Sequence, residues 1–220
     1  MTKIYLVRHC EAEGNKAKIF QGTTDCDISE NGAKQLEFLK ERFKDIHIDA
    51  AFSSPLIRAY KTGLAAVEGK DLEIEKIDAF REMYGGIVEG VPFAQIFSEY
   101  SHLEFLWNNR PHEFAPMDGE SMQQVYDRSR IALEELIRNP LYKDITILIS
   151  SHGGVIRCLL CYVLFGNIER LIDTPWSNNT AVSLLICDEN GIRAEYANDD
   201  SHIPEEFLPI ENRIQAITHA

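Results

Sequence analysis

Short apolar runs alternate along the chain with segments in which apolar residues recur at helical spacing. Leu36, Leu39 and Phe43 show this spacing of three to four residues. Four runs have the length of buried strands: residues 4–7, 50–52, 72–77 and 145–150. Such alternation is typical of a mostly parallel sheet covered by helices on both faces. We therefore expect an α/β three-layer sandwich with a mostly parallel central sheet.

Capping residues predict where two of the helices begin. Ser54 with Pro55 favours a helix that starts at the proline. Ser121 and Gln124 have the spacing of a capping box, which predicts a long helix after them. Both helices are expected to cover the sheet.

The chain after residue 150 continues with one helix and a hairpin. Residues 154–165 are apolar nearly all round, which predicts a buried helix. Residues 181–187 and 192–196 flank an Asp-Glu-Asn-Gly turn, which predicts two antiparallel strands. The sheet is therefore expected to be mixed at this end.

The alternation is interrupted between residues 85 and 119, where glycines and three prolines gather. Four aromatic residues in this span look exposed: Phe93, Phe97, Trp107 and Phe114. We interpret residues 90–118, approximately, as a small helical insertion that leaves the sheet. A chain of 220 residues has the size of one domain, so we expect a single domain over residues 1–220 that carries this insertion.

The charge balance excludes several classes of partner. The chain has 22 Lys and Arg residues against 35 Asp and Glu, a formal net charge of −13. Nucleic acids and anionic membranes are therefore not expected partners, since both require a basic surface. No stretch approaches the roughly 20 apolar residues of a membrane span, and no signal-peptide pattern is present. We expect a cytoplasmic protein, and five cysteines, an odd number, favour reduced thiols.

Polar residues follow three of the predicted strands. Arg8 and His9 follow the first, Arg58 lies shortly after the second, and His152 follows the run at 145–150. Because the carboxyl ends of parallel strands meet at one edge of a sheet, these side chains are expected to converge where ligands bind. Guanidinium groups and helix N-termini suit an anion, and phosphate is the matching ligand.

A histidine beside two arginines is a candidate nucleophile toward phosphorus. The guanidinium groups disfavour the imidazolium form, so the ring stays neutral at physiological pH. His9 and His152 are both candidates on this ground. Phosphoryl transfer through histidine also needs an acid for the leaving oxygen and later a base for water, and one carboxyl group serves both steps. Glu82 is the best-placed carboxylate by topology, with Glu89 as the second candidate.

The same residues resemble the motifs of a known family. Residues 6–11, Leu-Val-Arg-His-Cys-Glu, resemble the Arg-His-Gly opening motif of the histidine phosphatase superfamily, also called the phosphoglycerate-mutase-like family. The family's other blocks are resembled in the same order at residues 21–32, 53–62, 81–90, 119–121 and 151–154. Any one of these motifs is weak, but the ordered set is highly specific.

The resemblance implies a role for each residue of the expected site. It implies that His9 forms a phosphohistidine, that Glu82 is the proton donor, and that the phosphoryl group is bound by Arg8, Arg58 and His152.

Additional contacts to the same oxygens are implied for three further groups: Asn15, Gln21 and the backbone N–H of Gly153. The insertion at about 90–118 is implied to be a lid over the pocket that selects the rest of the substrate. Its aromatic residues are equally compatible with a small satellite core.

Two positions depart from the family pattern. Cys10 replaces the glycine that usually follows the nucleophilic histidine, and Ala12 replaces a usual threonine. A positive φ at residue 10 would store strain of about 1 kcal/mol or more. Redox control through the Cys10 thiol is a minority interpretation, because thiol reactivity depends on exposure and pKa.

The sequence is compatible with three functions. The leading one is a metal-independent phosphomonoester hydrolase for a small phosphorylated substrate. The second is a mutase. In the family's mutases the segment that carries the proton-donating acid is longer and basic, and a His-Gly-Asn-Ser segment is present. Here residues 84–87 are Tyr-Gly-Gly-Ile and residues 152–155 are His-Gly-Gly-Val, which disfavours the mutase. The third is a non-catalytic phospholigand-binding module, which intact His9, Glu82 and His152 disfavour.

Cofactor and assembly expectations follow from what the sequence contains. There is no phosphate-loop or dinucleotide glycine motif, so we expect neither a nucleotide cofactor nor a metal. The exposed-looking aromatic residues would also suit the interface of a homo-oligomer.

Overall fold

The structure, a computed structural model, describes residues 1–208. Residues 209–220 of the expected domain lie outside the described part. The strands are β1 (Thr2–Arg8), β2 (Ala50–Ser53), β3 (Ile74–Lys76), β4 (Thr146–Ser151), β5 (Val182–Asp188) and β6 (Gly191–Asp199). The α-helices are α1 (Glu13–Lys16), α2 (Glu30–Phe43), α3 (Ile57–Ala66), α4 (Phe93–Glu99), α5 (Ser101–Asn109), α6 (Met122–Arg138) and α7 (Gly153–Phe165).

One six-stranded sheet forms the centre, in the order β3-β2-β4-β1-β5-β6. The first four of these strands are parallel, and β5 and β6 add to the sheet as an antiparallel hairpin. Register places Arg8 beside Ser151 and Ser53 beside Ser150. The polar residues after β1, β2 and β4 therefore leave the sheet at the same edge, as the pattern predicted.

The period of two along the strands creates two apolar cores. Ile4 and Leu6 of β1 join the core that includes α6 and α7, whereas Tyr5 and Val7 join the core that includes α2 and α3. Successive strand residues point to opposite faces, so β1 contributes to both cores. The expected α/β sandwich with helices on both faces is confirmed.

Helix boundaries follow the capping chemistry with one correction. Ser121 and Gln124 form the predicted capping box at the start of α6. The prediction that α3 starts at Pro55 was wrong, because Leu56 is still extended and the helix begins at Ile57. The Ser54 hydroxyl accepts from Leu56 N–H at 3.2 Å and also bonds His152 Nε2 at 2.7 Å.

The segment after residue 90 contains α4 and α5, and its aromatic residues are more buried than expected. Phe114 is fully buried, which corrects the prediction that it is exposed. Phe93, Phe97 and Trp107 are half-buried and pack against the core that contains α6 and α7. Trp107 meets Phe114 edge to face at 4.9 Å, so this segment is continuous with the main core. No helix within residues 1–208 is long and apolar enough to cross a membrane.

Candidate active site

A cleft of about 230 Å³ opens at the carboxyl edge of the parallel strands. Its lining divides into two parts. The first, called the charged corner below, consists of Arg8, His9, Arg58, Glu82 and Gly153. The second, called the aromatic wall, consists of Phe20, Phe93, Trp107 and Trp176. Asn15, Gln21, Ile19, Met83 and Met122 complete most of the lining.

His9 is held as a neutral imidazole with one nitrogen free. Its ring Nδ1 lies 2.6 Å from the carbonyl oxygen of Cys10, which can only accept, so Nδ1 donates its proton and Nε2 keeps a lone pair. The backbone is fixed from both sides, because His9 N–H donates to the carbonyl of Ser151 and Asn179 Nδ2 donates to the carbonyl of His9. Burial, followed by the charge of Arg58, holds the pKa of His9 well below its usual value.

Two arginines contribute charge beside His9. Arg58 is fixed by donating to the carbonyls of Gly22 and Thr24, each at 2.8 Å. Arg8 donates to the carbonyl of Ser177. In both arginines, Nε is buried without a hydrogen-bond partner. A buried N–H donor without a partner costs about 1–3 kcal/mol, so each guanidinium favours an acceptor brought in by a ligand.

Burial also changes the pKa of both guanidinium groups. It lowers the pKa of Arg8 to about 10, against the opposing effect of the Glu82 carboxylate. Burial lowers the pKa of Arg58 as well. Since a pKa of about 10 is far above neutral pH, Arg8 stays cationic there. The charged corner therefore suits an anion.

His152 lies next to His9 but is not among the side chains that line the cleft. The two ring centroids are 5.1 Å apart. His152 Nε2 is 2.7 Å from the hydroxyl of Ser54, and Nδ1 is buried without a partner. Burial and the charge of Arg58 hold the pKa of His152 well below its usual value. The structure thus brings a second neutral imidazole against the first.

Gly153 lets the start of α7 approach Arg8. A Cβ at this position would lie 3.3 Å from Arg8 Nε and 3.4 Å from the ring of Trp176. The first N–H groups of an α-helix have no partner within the helix, and this close approach brings the start of α7 beside the arginine side chain. The helix end and the guanidinium form one binding surface for oxyanions.

Glu82 is held by backbone donors on both carboxylate oxygens. Oε1 accepts from Met83 N–H at 2.9 Å, and Oε2 accepts from Gly154 N–H at 3.1 Å. A Cβ at Gly154 would lie 2.6 Å from Oε1, so glycine is needed for this contact. The carboxyl group is thereby positioned in the cleft with Arg8, His9 and Arg58.

A charged network behind Glu82 fixes its backbone. Arg128 and Arg81 both donate to the Glu82 carbonyl, at 3.2 and 3.3 Å. Both arginines also pair with Glu120. Burial alone would raise the pKa of Glu120, but hydrogen bonds from Arg81 and Arg128 hold it at about 2. This network was not predicted from the sequence, although the Gly-Glu-Ser motif that contains Glu120 was noted.

Glu89, the second candidate acid, is engaged elsewhere. It accepts from Thr24 N–H at 2.6 Å and from Gly85 N–H at 2.7 Å, and it does not line the cleft. Gly22 has a positive φ of 48° and lies against the Glu89 carboxylate, where a side chain would clash. Glu89 therefore braces the loop that supports Arg58, and Glu82 is the carboxylate in the cleft.

Asn15 and Gln21, for which contacts to the phosphoryl oxygens were expected, both line the cleft. Asn15 Oδ1 accepts from Ala12 N–H at 3.0 Å and thereby caps α1. Gln21 is only 8% exposed, packs over Gly14, and has an Oε1 that is buried without a partner.

Cys10 fits its position without backbone strain. Its φ is not positive, and its N–H donates to Thr62 Oγ1 at 3.0 Å. The side chain is fully buried, and burial raises the pKa of the thiol to about 12. A buried thiol with this pKa carries almost no thiolate at neutral pH, so the structure disfavours a redox role.

Trp176 and Met122 line the cleft but were not among the predicted site residues. Trp176 lies in the loop before β5, far in sequence from the other site motifs. No local pattern marks it, because its place depends on the packing of that loop against Gly153 and Trp107.

The chain matches known proteins over most of its length. Residues 4–200 match the family described as the histidine phosphatase superfamily, branch 1. Phosphoserine phosphatase 1 of Hydrogenobacter thermophilus is 30% identical over 217 residues, which is 97% of this chain and 100% of the relative. A 2,3-bisphosphoglycerate-dependent phosphoglycerate mutase of Methanococcus vannielii is 26% identical over 223 residues, 88% of this chain and 94% of the relative.

The fold has solved counterparts as well. The structure of YhfR from Bacillus stearothermophilus superposes with a TM-score of 0.86 at 25% identity, covering 93% of this chain and 100% of that one. The chain belongs to the histidine phosphatase superfamily, which confirms the resemblance inferred from its motifs.

Proposed function

We propose that the protein is a metal-independent phosphomonoester hydrolase that acts on a small phosphorylated substrate through a phosphohistidine at His9. One observation carries this proposal. A neutral, buried imidazole with a free Nε2 lies in the cleft with two buried guanidinium groups whose Nε donors have no partner. Such a site attracts a phosphate dianion and presents a nucleophile to its phosphorus atom.

Substrate binding places the phosphoryl oxygens on donors that are already fixed. Arg8 and Arg58 provide their unpaired Nε–H groups, and the start of α7 provides backbone N–H groups beside Gly153. Their positions are set by bonds to backbone carbonyls, so little reorganisation is needed when charge develops. Asn15 and Gln21 extend the same surface.

His152 contributes a proton donor at the back of the site. The Ser54 hydroxyl accepts from Leu56 N–H at 3.2 Å and can give its own proton to His152 Nε2. The single proton of the neutral ring is then on Nδ1, the atom without a partner. This nitrogen is left for a phosphoryl oxygen.

The first chemical step transfers the phosphoryl group to His9. Nε2 attacks phosphorus, the bond from phosphorus to the leaving oxygen breaks, and protonated Glu82 gives its proton to that oxygen. The phosphorylated ring is cationic because Nδ1 keeps its proton, and the Cys10 carbonyl stabilises that charge. The alcohol then leaves.

The second step regenerates the enzyme. Glu82, now a carboxylate, takes a proton from water, whose oxygen attacks phosphorus. The bond between phosphorus and His9 Nε2 breaks, inorganic phosphate is released, and Glu82 is again protonated. All protons are accounted for by Glu82, which acts once as acid and once as base.

Hydrolysis fits the cleft better than mutase activity. A mutase of the bisphosphoglycerate type must hold a second phosphate group beyond the one being transferred. Of the described residues that line the cleft, the cationic ones are Arg8 and Arg58, and both belong to the charged corner. We propose that α4 and α5 form a lid whose Phe93 and Trp107 contact the alcohol part of the substrate.

Phosphate release from a panel of phosphomonoesters, with EDTA present throughout, tests this proposal. The panel includes a generic aryl phosphate and phosphoglycerates, and His9→Ala is the matched inactive variant. Release by the wild type and not by the variant supports the hydrolase. Interconversion of phosphoglycerates without net release would support the mutase, and unchanged release by His9→Ala would overturn the covalent mechanism.

A further inference from the structure

The aromatic wall is a continuous surface of packed rings. Phe20 and Phe93 have centroids 5.8 Å apart, and each lies within 6.2 Å of Trp107. Trp107 in turn stacks on Trp176 at 5.2 Å with an interplanar angle of 22°. Phe20 follows α1, Phe93 and Trp107 lie on α4 and α5, and Trp176 precedes β5, so the wall joins three separate parts of the chain.

Trp176 connects this wall to the charged corner. Its ring lies 3.4 Å from the Cβ position of Gly153, beside the guanidinium of Arg8. Arg157 stacks its guanidinium over the same indole, 4.6 Å from the ring centroid, which fixes the ring in place. A group attached to a phosphate in the charged corner therefore meets Trp176 as it leaves that corner.

The wall offers no partner for a charged leaving group. Of the residues in 1–208 that line the cleft, the acidic and basic ones besides His9 are Arg8, Arg58 and Glu82. These three are occupied by the phosphoryl group and its proton transfer in the proposed function. An ammonium or carboxylate placed on the wall would lose water without gaining a counter-ion, which is costly. A flat apolar ring would instead contact Phe93, Trp107 and Trp176, which are partly exposed to solvent.

We propose that the substrate is a phosphomonoester of an alcohol that carries a flat, uncharged ring, and that Trp107 and Trp176 determine this specificity. This inference rests on the proposed function and names the substrate class of the same site. A charged amino acid is disfavoured as the alcohol, because the wall provides an apolar aromatic surface without a counter-ion for its ammonium and carboxylate groups.

Binding can be measured without turnover, because the chain has two tryptophans and both lie in the wall. Intrinsic fluorescence of the His9→Ala variant is titrated with benzyl phosphate, propyl phosphate and phosphoserine. Benzyl phosphate is expected to change the fluorescence and to bind at least about 10-fold more tightly than phosphoserine. Phosphoserine binding equal to or tighter than that of benzyl phosphate would overturn the inference.

Turnover provides the second test, with esters of primary alcohols chosen so that leaving-group chemistry is similar. Trp176→Ala is expected to lose about 10-fold in kcat/KM for benzyl phosphate and less than about 3-fold for propyl phosphate. Phe105→Ala is the matched control, since Phe105 is 55% exposed on α5 and does not line the cleft. An equal loss on both esters in Trp176→Ala would contradict a specificity role.

The two proposals fail in different ways. If the wild type releases no phosphate from any ester, the hydrolase proposal fails, and the fluorescence titration still decides the ligand class. If phosphate is released but phosphoserine is the better substrate and ligand, the hydrolase stands and the inference about the wall is wrong.

Discussion

The charged corner and the aromatic wall lie in one cleft but are held in different ways. In the corner, Arg8 and Arg58 are anchored by backbone carbonyls, and Glu82 is anchored by backbone N–H groups. In the wall, the rings of Phe93 and Trp107 pack against each other with their centroids 5.5 Å apart. Directional bonds fix the atoms that must meet phosphorus, whereas packing fixes a surface. The comparison indicates that chemistry depends on the corner and choice of alcohol on the wall.

Removal of the nucleophile is expected to have the largest effect. His9→Ala should lower kcat for every ester by at least about 10⁴-fold, because His9 is the only imidazole among the described residues that line the cleft. Steady-state phosphate release measures this effect, and fluorescence titration checks that ligand still binds. A loss confined to one class of ester would contradict the view that the charged corner acts on every ester and the aromatic wall selects among them.

Removal of the acid is expected to depend on the leaving group. Glu82→Gln should lower kcat for benzyl phosphate by about 10²–10⁴-fold and by much less for a nitrophenyl phosphate, whose phenolate leaves without a proton. The ratio of the two rates is the measurement. Glu89→Gln is the matched control, because Glu89 braces a loop and does not line the cleft; an equal ratio in both variants would contradict the assignment of Glu82.

The free energy of unfolding should depend on pH through the buried histidines of the site and not through the aromatic wall. Burial holds the pKa values of His9 and His152 well below 6.5, so below that pH the unfolded chain binds protons that the folded chain does not. Unfolding free energy should therefore fall as pH drops from 7 to 5. Urea unfolding at the two pH values should show a smaller fall in His152→Gln than in the wild type.

The wall provides the control for this experiment, since its four rings do not titrate. Trp107→Phe should shift the unfolding free energy by a similar amount at both pH values. A fall with pH that is the same in His152→Gln as in Trp107→Phe would show that the buried histidines of the site do not cause it.

The smallest effect is expected at Cys10. Because the thiol is buried and its pKa is raised to about 12, Cys10→Ala should keep kcat within about 3-fold of the wild type. Peroxide should leave activity intact, and iodoacetamide should label half-buried Cys26 before Cys10. Preferential labelling of Cys10 with loss of activity would restore the redox interpretation.

Much of the corner could be predicted from sequence because it follows from topology. Arg8 and His9 end β1, His152 follows β4, and parallel strands bring these ends together. The alternation of short apolar runs with helical segments likewise predicted a sheet covered on both faces, and the structure has a core on each face. These features depend on local pattern and strand direction, which the sequence contains.

Other features depend on tertiary contacts that have no local pattern. Ser54 has the form of a helix cap, but its hydroxyl bonds His152, 98 residues away. Phe114 looked exposed because it lies among glycines and prolines, yet it packs under Trp107. Trp176 lines the cleft because of the way the loop before β5 packs. Such positions are set by the assembled molecule, and they include most of the aromatic wall.

Trapping of the phosphorylated enzyme tests the central claim most directly. Wild-type protein mixed with an aryl phosphate is quenched within the first turnover in alkali, where phosphohistidine survives, and is examined by peptide mass spectrometry. The account predicts one phosphoryl group on the peptide that contains His9, and none in His9→Ala. Absence of the adduct during active turnover, or its presence on another residue, would contradict it.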